Sequence, residues 1–393
     1  MTLVFGFSRT GRAQTSRLRN ASAWLAVAQS AKAAACALIA MVLVGPVFLD
    51  RPASGQVRRG GSLDPPSTDP PSTALHVCHA GSLLGAFTQV EDEFKKQYPS
   101  VMITDTSGGS VDLVRRFAAG RLECDVVAPA DHLVIDTMLK PAKLADYTIV
   151  FAAGRMVLAY NANDAKAGAL KVSGSFNPPS SVPQVTAGWY EALTSAGVRI
   201  SGAHPFMDPG GYRAHMIFEL AQAHHKVPGL QNALLQHYQV NVADPTSTAP
   251  APVLGKDFNF QFTYEHNAAR TAKQDASYRY ATLPPEIDLS GGAALSARSG
   301  GSSGPPVSIT IPGLGIQGSR PTVTIAASRV EWGLTIPSNS RNRELAVAFV
   351  ERLLGPTGRA ALIANGPAPT AARVTRQDHQ RLPSTLRALT TVD

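Results

Sequence analysis

Cysteine is scarce in this chain, with three residues in 393. Cys36 falls inside an N-terminal apolar run rather than just after it, which argues against lipid attachment. That leaves Cys78 and Cys124, both in apolar strand-like segments. Neither has the His and Cys neighbours that a metal site needs. An exported protein could pair them, but two buried free thiols are the expectation. The sequence also lacks a nucleophile elbow, a P-loop and His-pair zinc spacing, so the usual handles for an enzyme are missing. His224 and His225 are adjacent on one expected helix and point to different faces. His79 has no evident acid partner nearby and reads as core or loop support. A basic stripe with interleaved aromatics is absent as well. Of the 36 Lys and Arg and 28 Asp and Glu, 8 and 3 respectively lie in the first 74 residues, leaving the remainder a net charge of only +3. Nucleic-acid binding is therefore excluded.

The basic excess belongs to the front end. Arg9, Arg12, Arg17, Arg19 and Lys32 precede an apolar run from Ala33 to Leu49. That order marks residues 1–50 as an export signal or a retained signal anchor. Residues 51–74, rich in Pro, Gly, Ser and Arg, read as a flexible tether. The protein is expected outside the cytoplasm, in the periplasm or its equivalent. It would touch the membrane only through its N-terminal segment, if that segment is uncleaved.

From Leu75 onward strand-like and helix-like segments alternate, the pattern of an α/β fold. Strands are expected at Leu75–His79, Val101–Asp105 and Asp125–Ala130, followed by helices at Leu83–Tyr98, Val111–Ala119 and Leu133–Leu139. Beyond Met156–Tyr160, helices are expected at Trp189–Ser195, Tyr212–His225 and Leu230–His237, with a strand at Phe258–Tyr264. Residues 290–318 read as a surface excursion with the makings of a hairpin. Strand Trp332–Ile336, helix Glu344–Leu354 and a last helix opened by Pro356 and capped by Asn365-Gly366 complete the order. A chain that leaves one lobe, builds another and returns predicts two α/β lobes joined by two crossover strands. Residues 75–160 and 330–393 form the first lobe and 161–329 the second. Ligands of such sheets sit at the carboxyl ends of the strands, here the cleft between lobes.

Three helix starts face that cleft with the chemistry of an anion site. His79-Ala80-Gly81-Ser82 ends a strand in small residues and opens a helix with a hydroxyl, where free N–H groups and the helix dipole favour an anion. Thr106-Ser107-Gly108-Gly109-Ser110 repeats the arrangement, with Ser110 at the N-cap position. Asp208-Pro209-Gly210-Gly211-Tyr212-Arg213 is the third. Its carboxylate would repel a bound anion, so Asp208 either caps the helix or ligates the metal atom of an oxyanion. Glu265, in Phe262-Thr263-Tyr264-Glu265, is the sole carboxylate between Asp257 and Asp275.

These segments resemble the molybdate/tungstate-binding proteins of ABC importers, in the archaeal-type branch. Also matching are Asp125 to Asp131, Trp189-Tyr190-Glu191, Leu283-Pro284-Pro285-Glu286-Ile287, and the stretch from Gly333-Leu334-Thr335-Ile336-Pro337 to Gly366. The resemblance implies a type II periplasmic-binding-protein fold with mixed or parallel sheets. It also implies no catalysis, no cofactor, a captured molybdate or tungstate, and a monomer serving an ABC permease and its cytoplasmic ATPase. Ser82 and Ser110 fall on oxyanion-binding serines, with Gly81, Gly109, Gly210 and Tyr212 around them, and Asp208 on a carboxylate that reaches the metal. The family's aromatic-Glu-Tyr pattern places its second carboxylate at Thr263; the acidic residue here is Glu265, two further along and on the same face if the strand continues. A receptor for sulfate or phosphate, or a tethered ligand sensor, are the alternatives.

Overall fold

The computed structural model describes residues 74–178, 180–240, 252–291 and 307–393. The export signal or anchor and most of the tether lie outside the described residues. Among those described, no helix is long and apolar enough to cross a membrane.

The chain opens with β1 (Ala74–Ala80), whose second half is buried on both faces, as a central parallel strand should be. Helix α1 (Leu84–Gln97) buries Ala86, Phe87, Val90 and Phe94 and ends in Lys95 and Lys96, which complement its dipole. Then come β2 (Met102–Gly108), α2 (Ser110–Ala118) and β3 (Val126–Ala128), with the three strands in parallel order β2-β1-β3. The helix expected at Leu133–Leu139 is instead one turn, His132–Val134, running into a wide π-type turn at Ile135–Leu139.

Strand β4 (Ile149–Gly154) belongs to this lobe, and β5 (Met156–Asn161) already belongs to the next. The second lobe adds β6 (Val172–Ser173), β7 (Gln184–Val185), α3 (Trp189–Leu193), β8 (Ile200–Gly202), α4 (Pro209–His225), α5 (Leu230–His237), β9 (Tyr238–Val240), β10 (Phe260–Tyr264), α6 (Glu265–Gln274) and β11 (Tyr278–Thr282). Its seven-stranded mixed sheet runs β6-β7-β11-β5-β10-β8-β9, with β5 antiparallel to both β10 and β11. The excursion is a hairpin in its described part, β12 (Ser308–Pro312) against β13 (Thr322–Ala326); residues 292–306 lie outside it.

The chain returns through β14 (Val330–Leu334), α7 (Arg343–Leu354), α8 (Pro356–Asn365), β15 (Ala368–Val374) and β16 (Thr391–Val392), giving a sheet ordered β14-β4-β15-β16. Reciprocal backbone bonds between Val127 and Thr335 tie it to β3. Phe349 of α7 packs edge-on against Phe94, closing the core over α1. Gly366 caps α8 in extended backbone, φ −136° and ψ −168°, rather than in the left-handed form usual for glycine. The fold is thus α/β and two-lobed, with two crossovers.

The crossovers lie side by side. Only Arg155 separates β4 from β5, and Met156 N donates to Asp288 O at 2.9 Å while Val330 N donates to Leu289 O at 2.8 Å. Leu289 holds φ 61°, left-handed for a side chain that is fully buried. That conformation costs on the order of 1–2 kcal/mol and is held by the packing around it.

The expectation of two free thiols is corrected: Cys78 and Cys124 are disulfide-bonded, their Cα atoms 5.7 Å apart. Sequence spacing hides this because the pairing of β1 with β3, extended by Asp125 N donating to His76 O, brings residue 124 beside residue 78. The bond closes a separation of 46 residues. A Cys78→Ala/Cys124→Ala double variant should therefore lose roughly 2–4 kcal/mol in denaturant melts. An unchanged midpoint would show that the cross-link contributes nothing.

Candidate functional site

At the carboxyl ends of β1, β8 and β10 both lobes wall a cavity of about 220 Å³. The first lobe supplies Gly81, Ser82, Gly108 and Ala130; the second supplies Gly202, Ala203, Asp208 and Gly210, with Thr263, Tyr264 and Asn267 from the β10–α6 junction. One water occupies roughly 30 Å³, so the cavity has room for a small ion.

Ser82 sits in a tight turn at Gly81–Leu83 and makes no capping bond. Its Oγ accepts from Trp332 Nε1 at 2.9 Å. Indole nitrogen only donates, so the serine keeps its own O–H for a ligand. Trp332 is fully buried and meets Tyr264 edge-on. The Ser82 carbonyl accepts from His266 Nε2 at 2.9 Å; burial lowers the His266 pKa to about 4 and keeps the ring neutral. A side chain at Gly81 would meet nothing within 4 Å, because the position opens into the cavity.

The second helix start is built differently from expectation. Strand β2 runs on through Gly108, Gly109 is the N-cap of α2, and Ser110 lies within its first turn. Ser110 Oγ accepts from Ala130 N at 2.9 Å, and neither Ser110 nor Gly109 is among the cavity-lining residues. The N-terminal amides of α2 are already taken: Val111 N and Asp112 N donate to the carbonyl of Met207 at 3.0 and 3.1 Å. That carbonyl comes from the second lobe. It approaches so closely that a Cβ at Gly109 would lie 2.7 Å from it, so only glycine fits there. The dipole of α2 thus holds the opposite lobe.

Asp208 is the N-cap of α4, its Oδ1 accepting from Gly210 N at 2.7 Å, and it lines the cavity beside Gly210. Burial raises its pKa against the pull of the Gly210 N–H and of Arg213. Tyr212 does not reach the cavity. It is fully buried, and its hydroxyl donates to Asp131 Oδ2 at 2.6 Å. Beside it Arg213 lies 3.2 Å from the same oxygen and donates to Ala130 O at 2.7 Å and to the Tyr264 hydroxyl at 2.9 Å. Asp131 and Arg213 are each 1% exposed. Burial would loosen the Arg213 proton, but Tyr264 and Asp131 reverse the shift and the guanidinium stays charged. Accepting from Arg213 leaves the Tyr264 O–H free at the cavity wall, since burial keeps that phenol protonated.

Glu265 is the clearest correction. Strand alternation ends at Tyr264 and the chain turns into α6, so residues 263 and 265 do not share a face. Thr263 lines the cavity, whereas Glu265 accepts from Arg155 Nε at 2.8 Å, beside the crossover. His79, expected to lack an acid partner, has Asp105 Oδ1 2.7 Å from its Nε2. Trp332 and Asn267 carry no signal in the sequence, whereas Thr263 and Tyr264 do, at the Glu and Tyr positions of the aromatic-Glu-Tyr pattern.

Residues 75–366 match a protein-family model described as bacterial extracellular solute-binding protein. The chain is similar to an uncharacterized solute-binding protein of Methanoculleus marisnigri, 27% identical over 322 residues covering 75% of this chain and 81% of the relative. It is also similar to a molybdate/tungstate-binding protein of Thermococcus kodakarensis, 27% identical over 324 residues covering 76% and 83%. Among solved structures, a sulfate-binding protein of Mycobacterium tuberculosis aligns with TM-score 0.48 and 13% identity over 76% of this chain and 87% of that one.

The buried ion pair makes a testable demand. Arg213→Met would leave the Asp131 carboxylate buried without its cation, so stability should fall by about 3–5 kcal/mol in denaturant melts. A loss below about 1 kcal/mol would mean that Asp131 is adequately held by Tyr212 and Leu133 N alone.

Proposed function

The chain belongs to the bacterial extracellular solute-binding protein family, and we propose that the solute it captures is molybdate or tungstate. One observation carries the choice: Asp208 is the sole charged side chain lining a small cavity otherwise walled by glycines, alanines, hydroxyls, Phe262 and the amides of Gln261 and Asn267. Sulfate presents only negative oxygens, which a carboxylate repels. A Mo(VI) or W(VI) centre is a hard cation that accepts a carboxylate oxygen as a further ligand. The relative described as a molybdate/tungstate-binding protein supports the same reading.

In this reading the O–H groups of Ser82 and Tyr264 and the side-chain amide of Asn267 donate to the oxyanion oxygens, and Asp208 is the single carboxylate at the metal. Thr263, where the family pattern has Glu, supplies a neutral hydroxyl instead. Closure of the lobes is the whole function; no bond in the solute is made or broken. Met207 and Arg213 bring the second lobe against the first, so a ligand that bridges Ser82 and Asp208 favours the closed form by its differential contacts. The closed receptor would then deliver its anion to an ABC permease at the outer membrane face.

Titration calorimetry of the full-length chain tests this. Molybdate and tungstate should bind in the micromolar range or tighter and sulfate should not. Asp208→Ala should weaken tungstate at least about tenfold, or 1.4 kcal/mol, while leaving sulfate unbound or improved. Tighter binding of all three anions by the variant would overturn the reading, as would failure of the wild type to bind either metal oxyanion.

A further inference from the structure

Beneath the cavity, away from its wall, three ligating side chains converge with no role in holding the oxyanion. His79 on β1, Asp105 on β2 and Glu91 on α1 bring one ligand atom each to within 4.8 Å of one another. His79 is completely buried and Glu91 is 5% exposed. The Asp105 side chain is 25% exposed and opens the cluster to solvent.

The orientation of His79 is informative. Its Nδ1 lies 2.8 Å from the Ala80 carbonyl, an acceptor, so Nδ1 carries a proton. Its other nitrogen, Nε2, faces Asp105 Oδ1 at 2.7 Å. Glu91 adds a third donor atom: its Oε1 is buried and has no hydrogen-bond partner. Nδ1–H bound to a backbone carbonyl, with Nε2 aimed at carboxylates, is the usual second-shell arrangement of a metal-bound histidine.

We propose that His79 Nε2, Asp105 and Glu91 bind one divalent transition-metal ion of the zinc class where β1, β2 and α1 meet. One nitrogen and two carboxylates are a common zinc donor set, and three protein ligands leave a fourth position for water on the Asp105 side. Ligand atoms on one tetrahedral zinc lie about 3.4 Å apart for bonds near 2.1 Å, so small side-chain rotations complete the site. The ion would fix the end of β1 to α1 three residues before Ser82. The proposal stands whether or not the oxyanion is molybdate.

The test uses zinc alone with the full-length chain. Metal content after dialysis should reach one zinc per chain, and calorimetry should show matching stoichiometry. Glu91→Gln and Asp105→Asn should each weaken zinc by more than the roughly ten- to hundredfold that loss of an outer partner costs, with circular dichroism reporting that each variant is folded. Because a variant can fail to fold, zinc-soaked crystals of the wild type provide the independent reading: the anomalous peak should lie between these three residues. The proposal fails if wild type takes up no zinc, if the peak lies elsewhere, or if folded variants bind zinc as tightly as wild type. That last result would leave the cluster a protonated imidazolium bridging two carboxyl groups.

Discussion

The cleft depends on the burial of one guanidinium. Arg213 would be prohibitive in the interior alone, because a buried charge is tolerated only when paired and fully hydrogen-bonded. Its partners come from both lobes: Asp131 and the Ala130 carbonyl from the loop after β3, and the Tyr264 hydroxyl from the end of β10. Asp131 is completed by Tyr212 and Leu133 N. These contacts form together only when α4 lies in one position against the first lobe. Asp208 caps that same helix, so its place in the cavity is set by the pair behind it.

The same network leaves the cavity wall without a cation. The positive charge of Arg213 is spent on Asp131, and the amides of α2 are spent on the Met207 carbonyl. What remains around the cavity is neutral hydroxyl, amide, apolar side chain and glycine backbone, plus one carboxylate. Such a wall offers directed hydrogen bonds and little net attraction to negative charge. Under the proposed function, discrimination rests on what sits at the centre of the anion, the property that separates a metal oxyanion from sulfate.

Much of the scaffold was legible because it is governed by local periodicity. The α/β alternation, helix Leu230–His237 and the Asp208-Pro209-Gly210 helix start are each written in a few consecutive residues. What escaped was set by contacts distant in sequence. The Ser110 turn reads as an anion nest until the Met207 carbonyl, 97 residues away in number, is placed on it. The Cys78–Cys124 bond follows from strand order, which no spacing reveals. Trp332 carries no motif, and its role as the donor that aims Ser82 exists only once β14 lies beside β4.

Glu265 shows how a misplaced ligand can be informative. Expected opposite Asp208, it instead holds Arg155, the single residue between β4 and β5, and its own N–H donates to the Arg155 carbonyl at 3.1 Å. The start of α6 is thereby fastened to the crossover by both side chain and backbone. Thr263, Tyr264 and Asn267, which flank Glu265, line the cavity. The carboxylate expected at the ligand stands instead beside the crossover, where it braces the start of α6, and with it the cavity-lining residues that flank it, against the connection between the sheets.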